Sequence, residues 1–331
     1  MAITRIMLLQ LFLTATTFAQ VILASSDPTF TLPKFTSSDK YFGQSDPDIK
    51  VDKVNVTDNF GLESKFTWKD VIDSLSDKEK LFFIQRHGEG WHNVAPSNFS
   101  SDDWNCYWME QPGRDGVIWE DAELTPNGIQ QIENLAKQVN DTENLPWPEK
   151  FYVSPLRRTL QTWELTWKVL NEEKNVDQAP LVKEFARETY GIDSESKRHN
   201  KTYITENYPF ATFEANFTEL DELWKPDARE RSQHRKYRAA QLLSDIFDDA
   251  GDAKVISIVT HSGLIGSLLD VVGHRSYPMA TGSLIPVIIH RKPKKTKTYT
   301  MDKPDKTYSD VCPNPPSSIS GAPSDYTTIA E

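Results

Sequence analysis

An α/β architecture follows from three features of the chain: a three-layer sandwich in which a mostly parallel central sheet carries helices on both faces. Short apolar runs of strand length alternate with longer segments whose apolar residues recur at helical spacing. Two of the runs, Leu81-Phe82-Phe83-Ile84 and Val255-Ile256-Ser257-Ile258-Val259, lead into Arg86-His87-Gly88 and into Thr260-His261-Ser262-Gly263. Ligands of such sheets collect beyond the carboxyl ends of the strands, which is where both histidines fall. With 331 residues, 38% of them hydrophobic, the chain has ample material for a large core.

In chain order, residues 1–24 read as a secretory signal peptide. Arg5 is followed by the apolar stretch Ile6 to Leu13 and then by small residues, with Ala19 or Ala24 as cleavage points. The stretch is broken by Gln10 and Gln20 and is short for a membrane span of about 20 residues. Residues 25–79 form a leader rich in Ser, Asp, Thr and Pro, with a short helix expected over Phe66–Leu75. The core domain covers 80–290. It opens with a strand over Lys80–Gln85, and the Trp-, Pro- and Gly-rich segment 88–123 is expected to be an irregular functional loop. Thr125 as N-cap and Pro126 at the first helical position start a helix carrying Ile129, Ile132, Leu135, Ala136 and Val139. A strand over Lys150–Ser154, a helix over Arg157–Leu170 with Trp163 and Trp167 in the core, and a strand over Leu181–Ala186 follow. Residues 187–222 are polar and without period. The spacing predicts a helix over Asp227–Asp249, a strand over 255–260, a helix over Leu264–Val272 and a last strand over Ser283–His290. Residues 291–331 are read as a tail, its basic run Arg291-Lys292-Pro293-Lys294-Lys295 solvated.

The formal net charge of −11 speaks against nucleic acid or an anionic membrane as partner, so bound phosphate would be gathered by a local basic pocket. No later segment is long and apolar enough to cross a bilayer, and no hydrophobic tail of the lipid-anchor kind closes the sequence. Asn-x-Ser/Thr acceptors at Asn55, Asn98, Asn140, Asn200 and Asn216, behind a signal peptide, suggest a glycoprotein in the secretory pathway: secreted, or kept in the cell wall or vacuole. Cys106 and Cys312 are the only cysteines; a disulfide in an oxidising compartment and two separate thiols are both open readings.

Phosphoryl transfer needs positive charge around the equatorial oxygens, an in-line nucleophile and an acid for the leaving group. Arg86 offers a permanently charged fork, and His87 a nitrogen able to attack phosphorus near neutral pH. Arg157 or Arg158, at the opening of a helix after a strand, can point into the same cleft. His261 supplies a hydrogen-bonding partner, and the peptide groups of Ser262 and Gly263 open a helix whose N-terminus favours anions. A zinc site at His87 and His92 is not expected, since the two are five apart rather than four on a helix face. His199, His234, His274 and His290 have no partner pattern.

The segment Arg86-His87-Gly88-Glu89 with Asn93, together with Leu124-Thr125-Pro126-x-Gly128-x-x-Gln131, Ser154-Pro155-Leu156-x-Arg158-x-x-Gln161-Thr162 and Thr260-His261-Ser262-Gly263, resembles the histidine phosphatase superfamily, the phosphoglycerate mutase-like proteins. The variant Arg-His-Gly-Glu-Gly-Trp-His-Asn is most similar to the phosphomutase-like proteins of yeasts. The resemblance spans roughly residues 80–290. It implies a phosphoglycerate mutase-like fold, His87 as nucleophile, and a phosphate pocket of Arg86, Arg158 and His261 with Asn93 at its edge; the helix opening at Gly263 adds its peptide group to the expected phosphate contacts. It also implies Glu188, in Arg187-Glu188-Thr189-Tyr190-Gly191, as the acid, with Glu184 a weaker substitute. The expected activity is hydrolysis of phosphomonoesters through a phosphohistidine, with a small phosphorylated substrate and neither metal nor organic cofactor. Phosphoglycerate mutase-like phosphotransfer and silent binding of a phosphate ligand are the rivals. Arg114, Lys197, Arg198 and Lys201 are the only local cations that a highly phosphorylated substrate could use. The oligomeric state is not legible.

Overall fold

The computed structural model describes residues 28–54, 56–300, 312 and 315–316. The signal peptide and Asn55 lie outside them. Strand β1 (Thr29–Ser37) comes first, then helix α1 (Trp68–Asp73), opened by a reciprocal Thr67–Asp70 capping box, and strand β2 (Glu79–Arg86). The segment expected to be irregular carries helices α2 (Trp91–Val94) and α3 (Ser101–Cys106) and a hairpin of β3 (Gly113–Arg114) and β4 (Val117–Ile118). Helix α4 (Pro126–Asp141) starts where its N-cap predicts, with Thr125 Oγ1 accepting from the Gly128 N–H. Strand β5 (Lys150–Val153) follows. Helix α5 (Arg157–Trp163) then passes through a wide turn of π type at Glu164–Lys168 into α6 (Val169–Lys174).

Strand β6 keeps only Leu181–Val182 of the six residues expected, because Glu184–Ala186 turn into a 3-10 helix. The polar segment beyond it contains helix α7 (Lys201–Asn207) and strand β7 (Thr212–Phe213). Helix α8 (Ser232–Asp249), strand β8 (Val255–Thr260) and helix α9 (Ser262–Val271) precede the last strand, β9 (Leu284–Thr300). The expected end of β9 at His290 needs correction. Residues 291–300 are not a tail but continue the strand, with Pro293, Lys294 and Lys295 of the basic run exposed as expected, because β1 from the leader pairs with them antiparallel, from Thr29↔Thr300 to Ser37↔Ile289, across a bulge between Pro33 and Phe35.

Among the described residues the main sheet has seven strands in the order β1-β9-β2-β8-β5-β6-β7. The pairs from β2 through β8, β5, β6 and β7 are all parallel, whereas β9 runs antiparallel to β1 and β2. Strand alternation divides the core. Phe82, Ile84, Ile256 and Ile258 pack with Leu242, Leu243, Leu264 and Leu268 of α8 and α9. Leu81, Phe83, Val255 and Val259 face the other way, against Val71 of α1, Leu135 and Val139 of α4, and Trp163 and Trp167. The three-layer sandwich with a mostly parallel sheet is therefore the observed fold. Among the described residues, no helix is long and apolar enough to cross a membrane.

Candidate active site

The parallel strands end together. Arg86 is level with Thr260 across β2 and β8, and Val153 is level with Val259 and Val182. One residue later each chain turns away, so His87, His261 and Ser154 meet over the carboxyl edge of the sheet, joined by continuing bonds from the His87 N–H to Thr260 O (3.1 Å) and from the Ser154 N–H to Val259 O (3.1 Å). The ring centroids of His87 and His261 are 5.0 Å apart.

His87 is buried, and its Nδ1 lies 2.7 Å from the Gly88 carbonyl oxygen. A carbonyl can only accept, so Nδ1 carries the proton, and the neutral ring holds its lone pair on Nε2. Burial first, and the nearby Arg158 charge second, hold the His87 pKa well below the ordinary histidine value. The same two causes depress His92 and His261. His261 places Nε2 2.8 Å from Ser154 Oγ, while its buried Nδ1 has no hydrogen-bond partner among the described residues.

Two arginines border the rings. Arg86 donates from Nη1 to Met279 O (2.7 Å); burial pushes its pKa down and Glu188 opposes that. Arg158 is fully buried in the first turn of α5, with Nη1 donating to Glu195 O (2.9 Å) and Nη2 to Glu195 Oε2 (2.6 Å). The Nε of both arginines is buried and without a partner among the described residues. Such donors are rare in folded proteins and mark places where an acceptor is expected from elsewhere. The pocket thus gathers two fixed cations, neutral imidazoles and at least three unanswered nitrogens, a chemistry suited to an oxyanion.

Glu188 faces this group from the turn after β6. Its Oε1 accepts from the Thr189 N–H (2.7 Å), and its Oε2 from the Gly263 N–H (3.0 Å) and the Ser262 hydroxyl (3.3 Å). The expectation that the Gly263 peptide group would face phosphate is corrected here: its N–H is taken by Glu188. The glycine has a different reason to be there, since a Cβ would lie 2.1 Å from Glu188 Oε1. Asn93 is exposed on α2 and turns Oδ1 back to the Gly90 N–H (3.0 Å), shaping the loop. His92 lies 5.3 Å from His87 between ring centroids, its ring packed over Gly90.

Arg157 is turned elsewhere, to Asp121 O, Glu123 and Tyr203. Glu184 is engaged by Arg187 and Arg198 in a buried ionic cluster with Asp221, so it does not face the pocket. The other cations weighed are likewise placed: Arg114 over the Trp108 ring, Lys197 on Glu120, Lys201 over Phe213. Glu195 and Ser154 had not been singled out. Ser154 was at least inside a recognisable motif, whereas Glu195 sits in a polar stretch with no period to mark it. Cys106 and Cys312 form a disulfide, with the Cys312 N–H also donating to Cys106 O (3.0 Å). Asn140, Asn200 and Asn216 are exposed, and the Asn200 side chain caps α7; Asn98 is half-buried, its amide directed at Val94 O and Ala95 O.

Comparison with known proteins places the chain in a family. The model of the histidine phosphatase superfamily (branch 1) matches residues 109–282, a range holding Arg158, Glu188, Glu195 and His261 but not Arg86 and His87, which precede it. A protein of Candida albicans named phosphomutase-like protein 3 is 61% identical over 293 residues, covering 88% of this chain and 91% of its own. An Arthroderma benhamiae protein named "Probable phosphoglycerate mutase" is 38% identical over 215 residues, 63% of each chain. A solved phosphoglycerate mutase of Bacillus anthracis superposes with a TM-score of 0.42 at 14% identity, over 69% of this chain and 93% of that one.

Proposed function

The chain belongs to the histidine phosphatase superfamily, and from that premise we propose that it hydrolyses small phosphomonoesters through a phosphohistidine on His87 Nε2. One observation carries the reading: the bond from Nδ1 to Gly88 O, in a pocket that keeps the ring neutral, leaves Nε2 with a free electron pair among unanswered donors. In the first step the Nε2 pair forms a bond to phosphorus and the ester P–O bond breaks. The departing oxygen takes a proton from the Glu188 carboxyl and leaves as an alcohol. In the second step water attacks phosphorus, its proton passes to Glu188, and the N–P bond breaks to release phosphate and neutral His87. Arg86, Arg158 and His261 Nδ1 hold the equatorial oxygens as charge redistributes. Asn93 limits the entrance.

The names of the relatives favour a second reading, transfer of the phosphoryl group between hydroxyls of a phosphoglycerate, which uses the same phosphohistidine but must exclude water. The proposed setting, the secretory pathway with release, cell wall or vacuole as destination, rests on residues 1–24 and the asparagine acceptors, and it favours hydrolysis, since phosphoglycerates are cytosolic metabolites.

The test takes the full chain from fractionated cells and medium. We expect it outside the cytosol, releasing phosphate from an aryl phosphate, with His87→Ala lowering kcat by at least about a thousandfold, the loss typical when a covalent nucleophile is removed. Turnover that survives His87→Ala would show the nucleophile to be another group. Rapid phosphoryl exchange on a phosphoglycerate, without net phosphate release, would select the mutase reading.

A further inference from the structure

Glu195 has no part in that chemistry, yet it holds the group that the chemistry most needs. Its backbone oxygen and Oε2 together occupy one edge of the Arg158 fork, and its side chain is 17% exposed against 0% for Arg158. The turn Ser194–Ser196 that carries it is braced from several sides. Ser194 Oγ donates to Gln111 O (2.6 Å), Ser196 Oγ to Asp193 O (2.9 Å), and Arg187 Nη2 to Ser196 O. The carboxylate therefore sits where the turn puts it. A phosphoryl group must share the guanidinium with it, approaching along the edge where Nε has no partner.

We propose that Glu195 is a positioning residue and proton-coupled counter-ion of Arg158: it aims the guanidinium at His87, competes with the incoming anion for its charge, and takes up a proton as the anion binds. The inference rests on the phosphate-site reading above and deepens it. Burial is the first cause pushing the Glu195 pKa up, to about 7, and Arg158 opposes it. The other charges facing Glu195 are Asp193 on its own turn, Glu188 from the turn after β6, and Arg229 from the segment before α8. Burial pushes the Asp193 carboxyl up, with Arg229 opposing, and Asp193 in turn adds to the upward push that burial gives Glu110, on the turn after α3. Bound anion adds negative charge beside the carboxylate, which favours its protonated form further. The sign follows. Above about pH 7 Glu195 is charged and neutralises Arg158; below it the proton releases the full arginine charge to the ligand, so anion affinity rises as pH falls.

Sulfate is the probe, since it keeps both its charges across the range used. Its dissociation constant is measured by calorimetry on the full chain at constant ionic strength, from about pH 5 to about pH 8.5, which brackets the titration. Glu195→Gln keeps an acceptor for Arg158 Nη2 and removes only the charge. In the wild type we expect sulfate binding to weaken as pH rises through about 7. In Glu195→Gln the slope should vanish, with sulfate bound on the order of tenfold tighter than in wild type at the alkaline end, the value of one pKa unit of coupling, and equally at the acid end. Glu195→Asp, which restores the charge, should restore the slope.

A slope that persists in Glu195→Gln overturns the inference, and one that persists there but disappears in Asp193→Asn moves the proton to Asp193. The readout does not require turnover. A catalytically active wild type with a flat profile sinks this inference alone. Absence of sulfate binding at every pH in all variants removes the anion site, and the phosphatase reading with it.

Discussion

At the scale of single residues, the chemistry depends on where protons sit on two buried rings. His87 is fixed by a carbonyl, which can only accept. His261 is fixed by Ser154, whose hydroxyl could donate or accept. The Leu156 N–H lies 3.4 Å from the same Oγ and points a donor at it, leaving the hydroxyl hydrogen for His261 Nε2. The ring proton then belongs on Nδ1, the atom without a partner, and His261 becomes a neutral donor to a phosphoryl oxygen. Ser154→Ala should release the ring to either tautomer and lower kcat about tenfold, near the 1.4 kcal/mol of one hydrogen bond, with little change in KM. Equal kcat in the variant would mean that His261 works without a fixed tautomer. Most of this scale could be read from the sequence, because each residue ends an apolar strand inside a short motif. Glu195 could not, since its role comes from an aperiodic turn held in place partly by Gln111, 83 positions from Ser194.

At the scale of elements, the motif residues that never touch the anion turn out to hold the nucleophile's loop. The Gly88 N–H donates to Thr162 Oγ1 (3.1 Å) and the Glu89 N–H to Gln131 Oε1 (2.9 Å). The Thr125 N–H and hydroxyl bond to Glu89 O (2.9 Å) and Oε1 (2.7 Å), and the Leu124 N–H to Gln161 Oε1 (2.8 Å). This explains the spacing in Thr125-Pro126-x-Gly128-x-x-Gln131: one face of the first helical turns of α4 lies against the backbone after His87. Gly128 is required by that approach, since a Cβ would lie 2.0 Å from Glu89 O. Gly128→Ala must push the loop off the helix. Overpacking of this kind costs about 1–3 kcal/mol of stability, and a shift near 1 Å at His87 costs on the order of a hundredfold in kcat. A melting curve and a rate measurement on the same sample check both; an unchanged rate would show that the loop does not set the nucleophile. Helix α4 was legible because its cap and period are local. The ends of β9 and β6 were not. Residues 291–300, rich in Lys and Thr, have little strand signal of their own and become strand only because β1, more than 250 positions earlier, pairs with them. Leu181, Val182 and Phe185 gave Leu181–Ala186 a strand signal, but Glu184–Ala186 turn to carry Arg187 into its ionic cluster and Glu188 over the sheet edge.

At the scale of the whole molecule, a covalent tie from Cys312 reaches the segment that walls the site. The disulfide joins Cys106, the last residue of α3, to Cys312 across 206 positions. Two residues past Cys106, the turn Trp108–Glu110 packs against the turn that carries Glu195, and beside it Phe99, Trp104, Trp108 and Trp119 form a small aromatic core separate from the two large ones. A core of this size gains little from burial alone, so a covalent tie has a large share in keeping the wall in place. Closing so long a loop restricts the unfolded chain, which predicts a loss of about 2–4 kcal/mol in Cys106→Ser, read as a lower denaturation midpoint. The sheet and the two large cores do not involve the disulfide, so the native secondary structure should survive. The effect on function should then appear at the pocket edge: Arg158 held less firmly by Glu195 and a raised KM, while kcat at saturation stays within about threefold of wild type, about 0.6 kcal/mol. A variant whose kcat collapses while its KM is unchanged would place the disulfide's influence on His87 rather than on the wall, and one with neither change would show that the wall stands without it.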